Sequence, residues 1–270
     1  MQQDWNIPPP PDQRVADPAA FNGIVVDGVS KNFGSKVVLD GTDLLIHKGE
    51  TIVVIGRSGE GKSVLLKHIV RLLEPDAGHI WVEGQEVQSL ELGPLMELRK
   101  KFGFLFQGAA LFDSMTVGKN IGLALEEHTD WPAAKIRARA AECLAQVGLV
   151  GAEDKLPSEL SGGMKKRAGL ARAIVMEPQY ILYDEPTTGL DPISSDAIND
   201  LILKLQKELG VTSVVVTHDM PSAFKIADRL AMLSRGRIVF TGTVEETRTT
   251  AHPMVRQFIE GRSQGPLGAF

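Results

Sequence analysis

The 270-residue sequence reads as an α/β fold with a mainly parallel sheet and a helical insertion, and three observations predict it. Two runs of strand length, Thr51–Ile55 and Tyr180–Tyr183, are apolar or aromatic but for the leading threonine, as strands buried on both faces are. Segments with helical apolar spacing separate such runs, and parallel strands need crossovers of that kind. Between about residues 90 and 166 the alternation stops and the pattern reads as mostly helical, which implies an inserted subdomain.

Residues 1–20 are proline-rich, with Pro8 to Pro11 in succession, and read as a flexible, extended arm. From Gly23 onward come short β-rich runs, Ile24–Val26, Val37–Leu39 and Asp43–Ile46. Turn signals at Phe33-Gly34-Ser35 and Lys48-Gly49-Glu50 separate them. A glycine loop follows the strand Thr51–Ile55. The stretch Ser63–Leu73 then repeats apolar residues at Leu65, Leu66, Ile69, Val70 and Leu73, a helical spacing. Ala133–Val147 has no proline or glycine and is rich in Ala, Arg and Glu, a good helix composition. Alternation resumes with a strand at Tyr180–Tyr183, a helix over Ser194–Glu208 and a strand at Ser213–Val216. A helix near Pro221–Ala227 and strands at Leu230–Leu233 and Arg237–Phe240 complete it. In the tail, Met254, Phe258 and Ile259 fall at helical spacing, with Gly261 as a stop. Two readings of the last residues stand: a helix packed on its own core with a frayed end, or docking of Leu267 and Phe270 on a neighbouring copy of the chain or a small regulatory subunit.

A composition of 43% hydrophobic and 23% charged residues excludes wholesale disorder. The net charge of −5 weighs against nucleic-acid binding, which rests on clustered Lys and Arg. The single cysteine, Cys143, excludes an internal disulfide, and its amphipathic surroundings read as a helix that buries it. No apolar run approaches the roughly 18–20 residues of a membrane span, and no basic stretch with an apolar sequel opens the chain. The expectation is a cytoplasmic protein brought to a membrane only by a partner.

The segment Gly56-Arg57-Ser58-Gly59-Glu60-Gly61-Lys62-Ser63 fits G-x-x-x-x-G-K-[ST], with a buried strand running in and an apolar helix running out. That context is what a phosphate cradle requires: glycines let backbone N–H groups surround the phosphates, and the helix start points its positive end at them. Lys62 would reach the β- and γ-phosphates and the Ser63 hydroxyl would bind Mg²⁺. A second buried strand ends in Asp184-Glu185. Adjacent carboxylates repel, so they read either as a solvated acidic turn or as a pair with divided work, Asp184 toward Mg²⁺ and Glu185 polarising the attacking water. His218 ends a third strand, where it is either a satisfied surface histidine or a γ-phosphate contact. Leu160-Ser161-Gly162-Gly163-Met164 opens a further helix with a good N-cap, a second anion-binding terminus. The economical arrangement is a head-to-tail dimer in which each Ser161 turn completes the partner's Gly56 loop.

Taken together these residues resemble the ATP-binding-cassette (ABC) ATPases over about Gly23 to Gly242. The Gly56–Ser63 loop resembles Walker A, with Val64 beside it, Tyr180–Glu185 resembles Walker B with its catalytic glutamate, and Leu160–Met164 resembles the signature motif. Gln107 in Phe104-Leu105-Phe106-Gln107-Gly108 looks like the Q-loop glutamine, Asp191 in Gly189-Leu190-Asp191-Pro192 like the D-loop aspartate, and His218 like the switch histidine. Phe33 stands where the family places an aromatic on adenine. The resemblance implies a RecA-like P-loop NTPase core over residues 21–242 with an antiparallel β subdomain and a helical subdomain at about 90–166, and residues 243–270 as a C-terminal helix and tail. It implies ATP and Mg²⁺ as cofactors. Glu185, His218, Gln107 and Lys62 would be catalytic, and Ser63, Gln107 and Asp184 would serve the metal. Phe33, Gly56 to Val64, Ser161, Gly162, Gly163 and Asp191 would contact nucleotide.

Met164 departs from the family's usual glutamine. The strings GKSVLLKHI, FLFQGAALFDSMTV and LSGGMKKRAGLARAI look like ATPase subunits of Mla/Mce-type lipid transporters, which move phospholipid between inner and outer membranes. That resemblance implies a second copy of the chain, transmembrane permease subunits, an MCE-domain lipid-binding protein and a small STAS-type regulatory subunit as partners, at the cytoplasmic face of the inner membrane. An ABC ATPase for another solute, a soluble ABC ATPase without transport and a P-loop metabolite kinase are the alternatives. The kinase reading leaves Gln107, the Ser161 turn, Asp191 and His218 unexplained.

Overall fold

The computed structural model describes Gln13 and residues 15–268. In chain order the elements are β1 (Gly23–Phe33), β2 (Lys36–His47), β3 (Thr51–Ile55), α1 (Lys62–Ile69), β4 (Ala77–Val82), β5 (Gln85–Glu86), α2 (Leu92–Lys100), β6 (Phe102–Leu105), α3 (Val117–His128), α4 (Ala133–Gln146) and α5 (Gly162–Ile174). Then follow β7 (Tyr180–Asp184), α6 (Pro192–Leu209), β8 (Thr212–Thr217), α7 (Met220–Ile226), β9 (Arg229–Ser234), β10 (Arg237–Thr243), α8 (Val244–Thr249) and α9 (Pro253–Ile259). The chain divides into two compact units, residues 1–92 with 216–270, and residues 93–215.

In the first unit β1 and β2 form a long antiparallel hairpin from Gly23 opposite His47 to Phe33 opposite Lys36. The runs Val37–Leu39 and Asp43–Ile46, separate in the sequence, are parts of one strand that passes through Gly41 with its φ of 64°. β4 pairs with the other edge of β1, and β5 extends the sheet. β3 pairs in parallel with β9, Ile52 opposite Arg229 through Ile55 opposite Met232, and β10 turns back antiparallel beside β9. All five residues of β3 are buried, as are Leu65, Leu66 and Ile69 of α1. Each apolar side chain among them contributes about 1.5–3 kcal/mol by leaving water. Of the proline-rich arm, residues 1–12 and 14 lie outside the described part. Gln13 is buried, its Nε2 donating to Thr241 Oγ1 at 3.0 Å and its Oε1 accepting from Leu45 N–H at 3.1 Å.

In the second unit β7 lies between β6 and β8, and β6 pairs with it in parallel, Phe102 opposite Tyr180. The strand β6 falls within residues 90–166, whose pattern reads as mostly helical, and is not legible there. Phe102-Gly103-Phe104-Leu105 is too short to show a period of its own, and its strand state comes from pairing with β7, far away in sequence. The remainder of that stretch does supply α3, α4 and the start of α5. Cys143 sits on the inner face of α4, fully buried, with its thiol pushed up to about 11 by burial. Among the described residues, no helix is long and apolar enough to cross a membrane.

Candidate functional site

The first unit supplies the glycine loop. β3 delivers the chain to Gly56, whose φ is 157° and where a Cβ would fall well inside 3.0 Å of the Leu233 carbonyl on β9. Only glycine fits there, so the tight packing of β9 on β3 fixes where the loop begins. At the other end Gly61, at φ 101°, is the N-cap of α1 and offers no side chain to its first N–H groups. Lys62, buried, folds back over the loop, and its Nζ donates to the carbonyls of Gly56 at 2.8 Å and Arg57 at 3.0 Å. A buried cation over a curl of glycines at a helix start fits a polyphosphate, which would replace loop carbonyls as the partner of the ammonium.

The outer side of the loop is braced. Arg235, in the β9–β10 turn, donates its backbone N–H to Glu60 Oε2. Arg57 Nη1 donates to the Leu267 carbonyl at 2.6 Å, and Leu267 N–H donates to Gln257 Oε1 at 2.8 Å. Leu267 is therefore packed within its own chain, which matches the own-core reading of the tail; Phe270 lies outside the described residues. Phe33, at the turn end of the β1–β2 hairpin, is 47% exposed, and Lys31 Nζ lies 5.7 Å from its ring centroid. His218 follows β8 and is exposed, with Asp219 N–H donating to Thr217 Oγ1 beside it at 3.0 Å.

The second unit supplies the carboxylates. β7 is buried along its length and carries Asp184 and Glu185 to its carboxyl end, 5% and 7% exposed. These are not the side chains of a solvated turn. Glu185 stands at φ 49°, a left-handed conformation, and Thr188 Oγ1 donates to its Oε2 at 3.1 Å. Gln107, just after β6, is exposed. Ser161 caps α5, its Oγ accepting from Met164 N–H at 3.3 Å, and with Gly162 it lies exposed at that helix start. Asp191 caps α6, accepting from the N–H groups of Ile193 and Ser194 at 3.0 Å and from Ser194 Oγ at 2.6 Å. Those hydrogen bonds, the Ser194 hydroxyl first, hold its carboxyl below the usual range. The residues expected to serve a metal, Ser63, Asp184 and Gln107, offer oxygen donors of the hard kind that Mg²⁺ takes. Among the described residues no cluster of three His, Cys, Asp or Glu forms a metal site by itself.

Two features of the second unit lay outside the sequence reading. Lys166 of α5 is buried, and its Nζ donates to the backbone carbonyls of both Gln107 and Glu185. Beside the Gln107 loop a cavity of about 530 Å³ has Met96, Phe104, Phe106 and Phe112 among its walls, with Arg99 and Arg172 at hand. Phe104 and Phe106 stack with centroids 4.1 Å apart. The run Phe104-Leu105-Phe106 hinted at this apolar surface.

The ABC transporter family profile matches residues 39–188, which takes in the glycine loop, Gln107, the Ser161 turn and Asp184-Glu185. The chain belongs to the ABC transporter family. As a member it is a nucleotide-binding, ATP-hydrolysing cassette. It is similar to the intermembrane phospholipid transport system ATP-binding protein MlaF of Escherichia coli, 40% identical over 239 residues that cover 88% of this chain and 89% of that one. It is also similar to the probable ribonucleotide transport ATP-binding protein mkl of Mycobacterium tuberculosis, 44% identical over 91% of this chain and 68% of that one. Among solved structures, the cassette MJ0796 in a dimeric post-hydrolysis state with ADP and Pi matches with a TM-score of 0.75 and 32% identity, covering 82% of this chain and 98% of that one. The ABC cassette thus agrees with the fold class the sequence predicts.

Proposed function

We propose that this cassette is the ATPase subunit of a transporter that moves phospholipid between the inner and outer membranes and so maintains outer-membrane lipid asymmetry. The observation that carries the substrate class is the 40% identity to MlaF across nearly the whole of both chains. The strings around Lys62, Gln107 and Ser161 support it. A second reading, transport of another solute, is favoured by the similarity to mkl, whose name specifies ribonucleotides.

In this reading Lys62 and the backbone N–H groups of Gly56 to Ser63 hold the phosphates of ATP, Val64 continues that wall, and Phe33 stacks on adenine. Ser63, with Asp184 and Gln107, would hold Mg²⁺, which would supply neutralisation of phosphate charge. Glu185 accepts a proton from the attacking water and directs it in line with the γ-phosphate, while His218 donates to the γ-phosphate oxygens. Ser161, Gly162 and Gly163 of a second copy close over the same nucleotide, with Asp191 near the contact of the two copies. The exposure of Ser161 and Gly162 supports this, since a capped helix start facing outward is available to an anion brought from outside. The aromatic cavity beside Gln107, with its arginines, suits an amphipathic acidic helix of a membrane permease, which would place the cassette at the cytoplasmic face of the inner membrane. An MCE-domain lipid-binding protein and a small STAS-type subunit complete the proposed assembly.

The test is purification of the chain from detergent-solubilised membranes with mass spectrometry of its partners and bound lipid. Recovery of a multi-spanning permease, an MCE-domain protein and phospholipid is expected. A different permease with a solute receptor would overturn the substrate, and recovery only in soluble ribosomal fractions would overturn transport.

A further inference from the structure

Helix α5 packs beside the loop that follows β6, and two of its cations reach that loop. Lys166, 5% exposed, donates through Nζ to the Gln107 carbonyl and, at 2.9 Å, to the Glu185 carbonyl. Six residues on, Arg172 donates to the Ala110 carbonyl at 2.6 Å and the Ala109 carbonyl at 2.7 Å. Between them Gly169 lets the loop approach, since a Cβ there would meet Leu105 Cδ1 at 2.9 Å and Ala109 Cβ at 3.1 Å. Further along, buried Asn120 of α3 donates to the carbonyls of Phe112 at 3.0 Å and Met115 at 3.1 Å, and fixes the loop's far end.

The backbone held this way is not relaxed. Ala109, Ala110 and Glu185 lie at φ 61°, 50° and 49°, where a residue with a Cβ persists only when its surroundings over-determine it. Lys166 is also an expensive way to satisfy two carbonyls, because burial disfavours its charged form; the nearby carboxylates of Asp184 and Glu185 act in the opposite direction. A neutral donor would satisfy the same carbonyls without that cost.

We propose that Lys166 is a positioning residue for ATP hydrolysis, locking the backbones of Gln107 and Glu185 to one another so that both side chains keep their working directions. This rests on the roles assigned above to Gln107 and Glu185. Lys166 touches neither nucleotide nor water in this account; it acts through the two residues whose carbonyls it joins. Because it stands on the helix capped by Ser161, the turn that meets the partner copy's nucleotide also carries the residue that sets its own site's glutamate.

The experiment compares Lys166→Met, which keeps the stem and removes charge and donors, with Lys166→Arg, which keeps both, in the assembled transporter. Wild type and Glu185→Gln run beside them. ATP turnover is measured against ATP concentration, together with binding of a fluorescent ATP analogue and the thermal midpoint. For Lys166→Met, kcat is expected to fall about 10- to 100-fold while KM and analogue affinity stay within about threefold, and Lys166→Arg should recover most of the rate. A Lys166→Met protein with wild-type kcat overturns the proposal. So does a parallel fall of kcat, affinity and thermal midpoint that Lys166→Arg leaves uncorrected, the signature of a merely structural lysine. If the methionine variant does not fold, Lys166→Leu, which likewise carries no donor, must show the same pattern, a lowered kcat with KM unchanged, and a wild-type kcat there overturns the proposal. Wild-type turnover by Glu185→Gln would instead refute the site reading beneath it.

Discussion

Two glycines of one loop separate crowding from backbone conformation. Gly56 and Gly59 both have positive φ, 157° and 81°, but a Cβ on Gly59 would meet nothing within 4 Å, whereas one on Gly56 would strike the Leu233 carbonyl. Gly59→Ala should therefore cost only the conformational term, about 1–2 kcal/mol. Gly56→Ala adds an overpacking term of about 1–3 kcal/mol, because a backbone carbonyl of β9 cannot rotate away as a side chain can. The sum, about 2–5 kcal/mol, corresponds in a chain of this size to a drop in thermal midpoint of about 4–9 °C, against about 2–4 °C for Gly59→Ala. Differential scanning calorimetry of the two variants, with analogue binding measured below the transition, checks the order. Since Gly56 also sets the start of the loop, its variant should lose nucleotide affinity as well as stability. Equal midpoints for the two, or a Gly56→Ala protein with wild-type midpoint and affinity, would refute the argument that β9 packing fixes the loop.

Glu185→Gln should lower ATP turnover by about 10²- to 10⁴-fold while nucleotide binding persists, as loss of a general base does, and a steady-state phosphate-release assay checks it. His68 and His252 are both held below the usual imidazole range, in each case by burial first, so folding favours their neutral forms. The stability they contribute is present above the ordinary histidine value and is lost as pH falls below it, so urea midpoints should drop on acidification and His68→Leu should flatten part of that limb. Cys143 should not react with a thiol-specific dye in the native protein, and a single thiol should appear on denaturation; rapid native labelling would contradict its burial.

Much of the site was legible in the sequence because its parts are local. β3, the glycine loop and α1 announce themselves within about twenty residues, since a strand buried on both faces, a curl of glycines and an amphipathic helix each leave a short-range pattern. The same holds for β7 with Asp184 and for the Ser161 cap. Where pairing partners are remote, the pattern failed. β6 is four residues long and is a strand only because β7 lies beside it, and β4, Ala77–Val82, is short and held between β1 and β5, both of which it pairs with. Lys166 was missed because no local rule says where a lysine's Nζ ends. Its signal was position: it shares a helix face with Gly169, Leu170 and Ala173, and a cation on a buried stripe requires a partner. Asp191 shows the converse, for a motif that suggested nucleotide contact also makes a good helix cap, and α6 uses it as one.

The central claim, that Glu185-dependent ATP hydrolysis by this chain drives phospholipid movement, is tested most directly by lipid transfer in proteoliposomes carrying the whole purified transporter. Transfer of labelled phospholipid that requires ATP and vanishes with Glu185→Gln is the predicted result. ATP-dependent flux of ribonucleotide without phospholipid transfer, or phospholipid transfer indifferent to Glu185→Gln, would contradict the account.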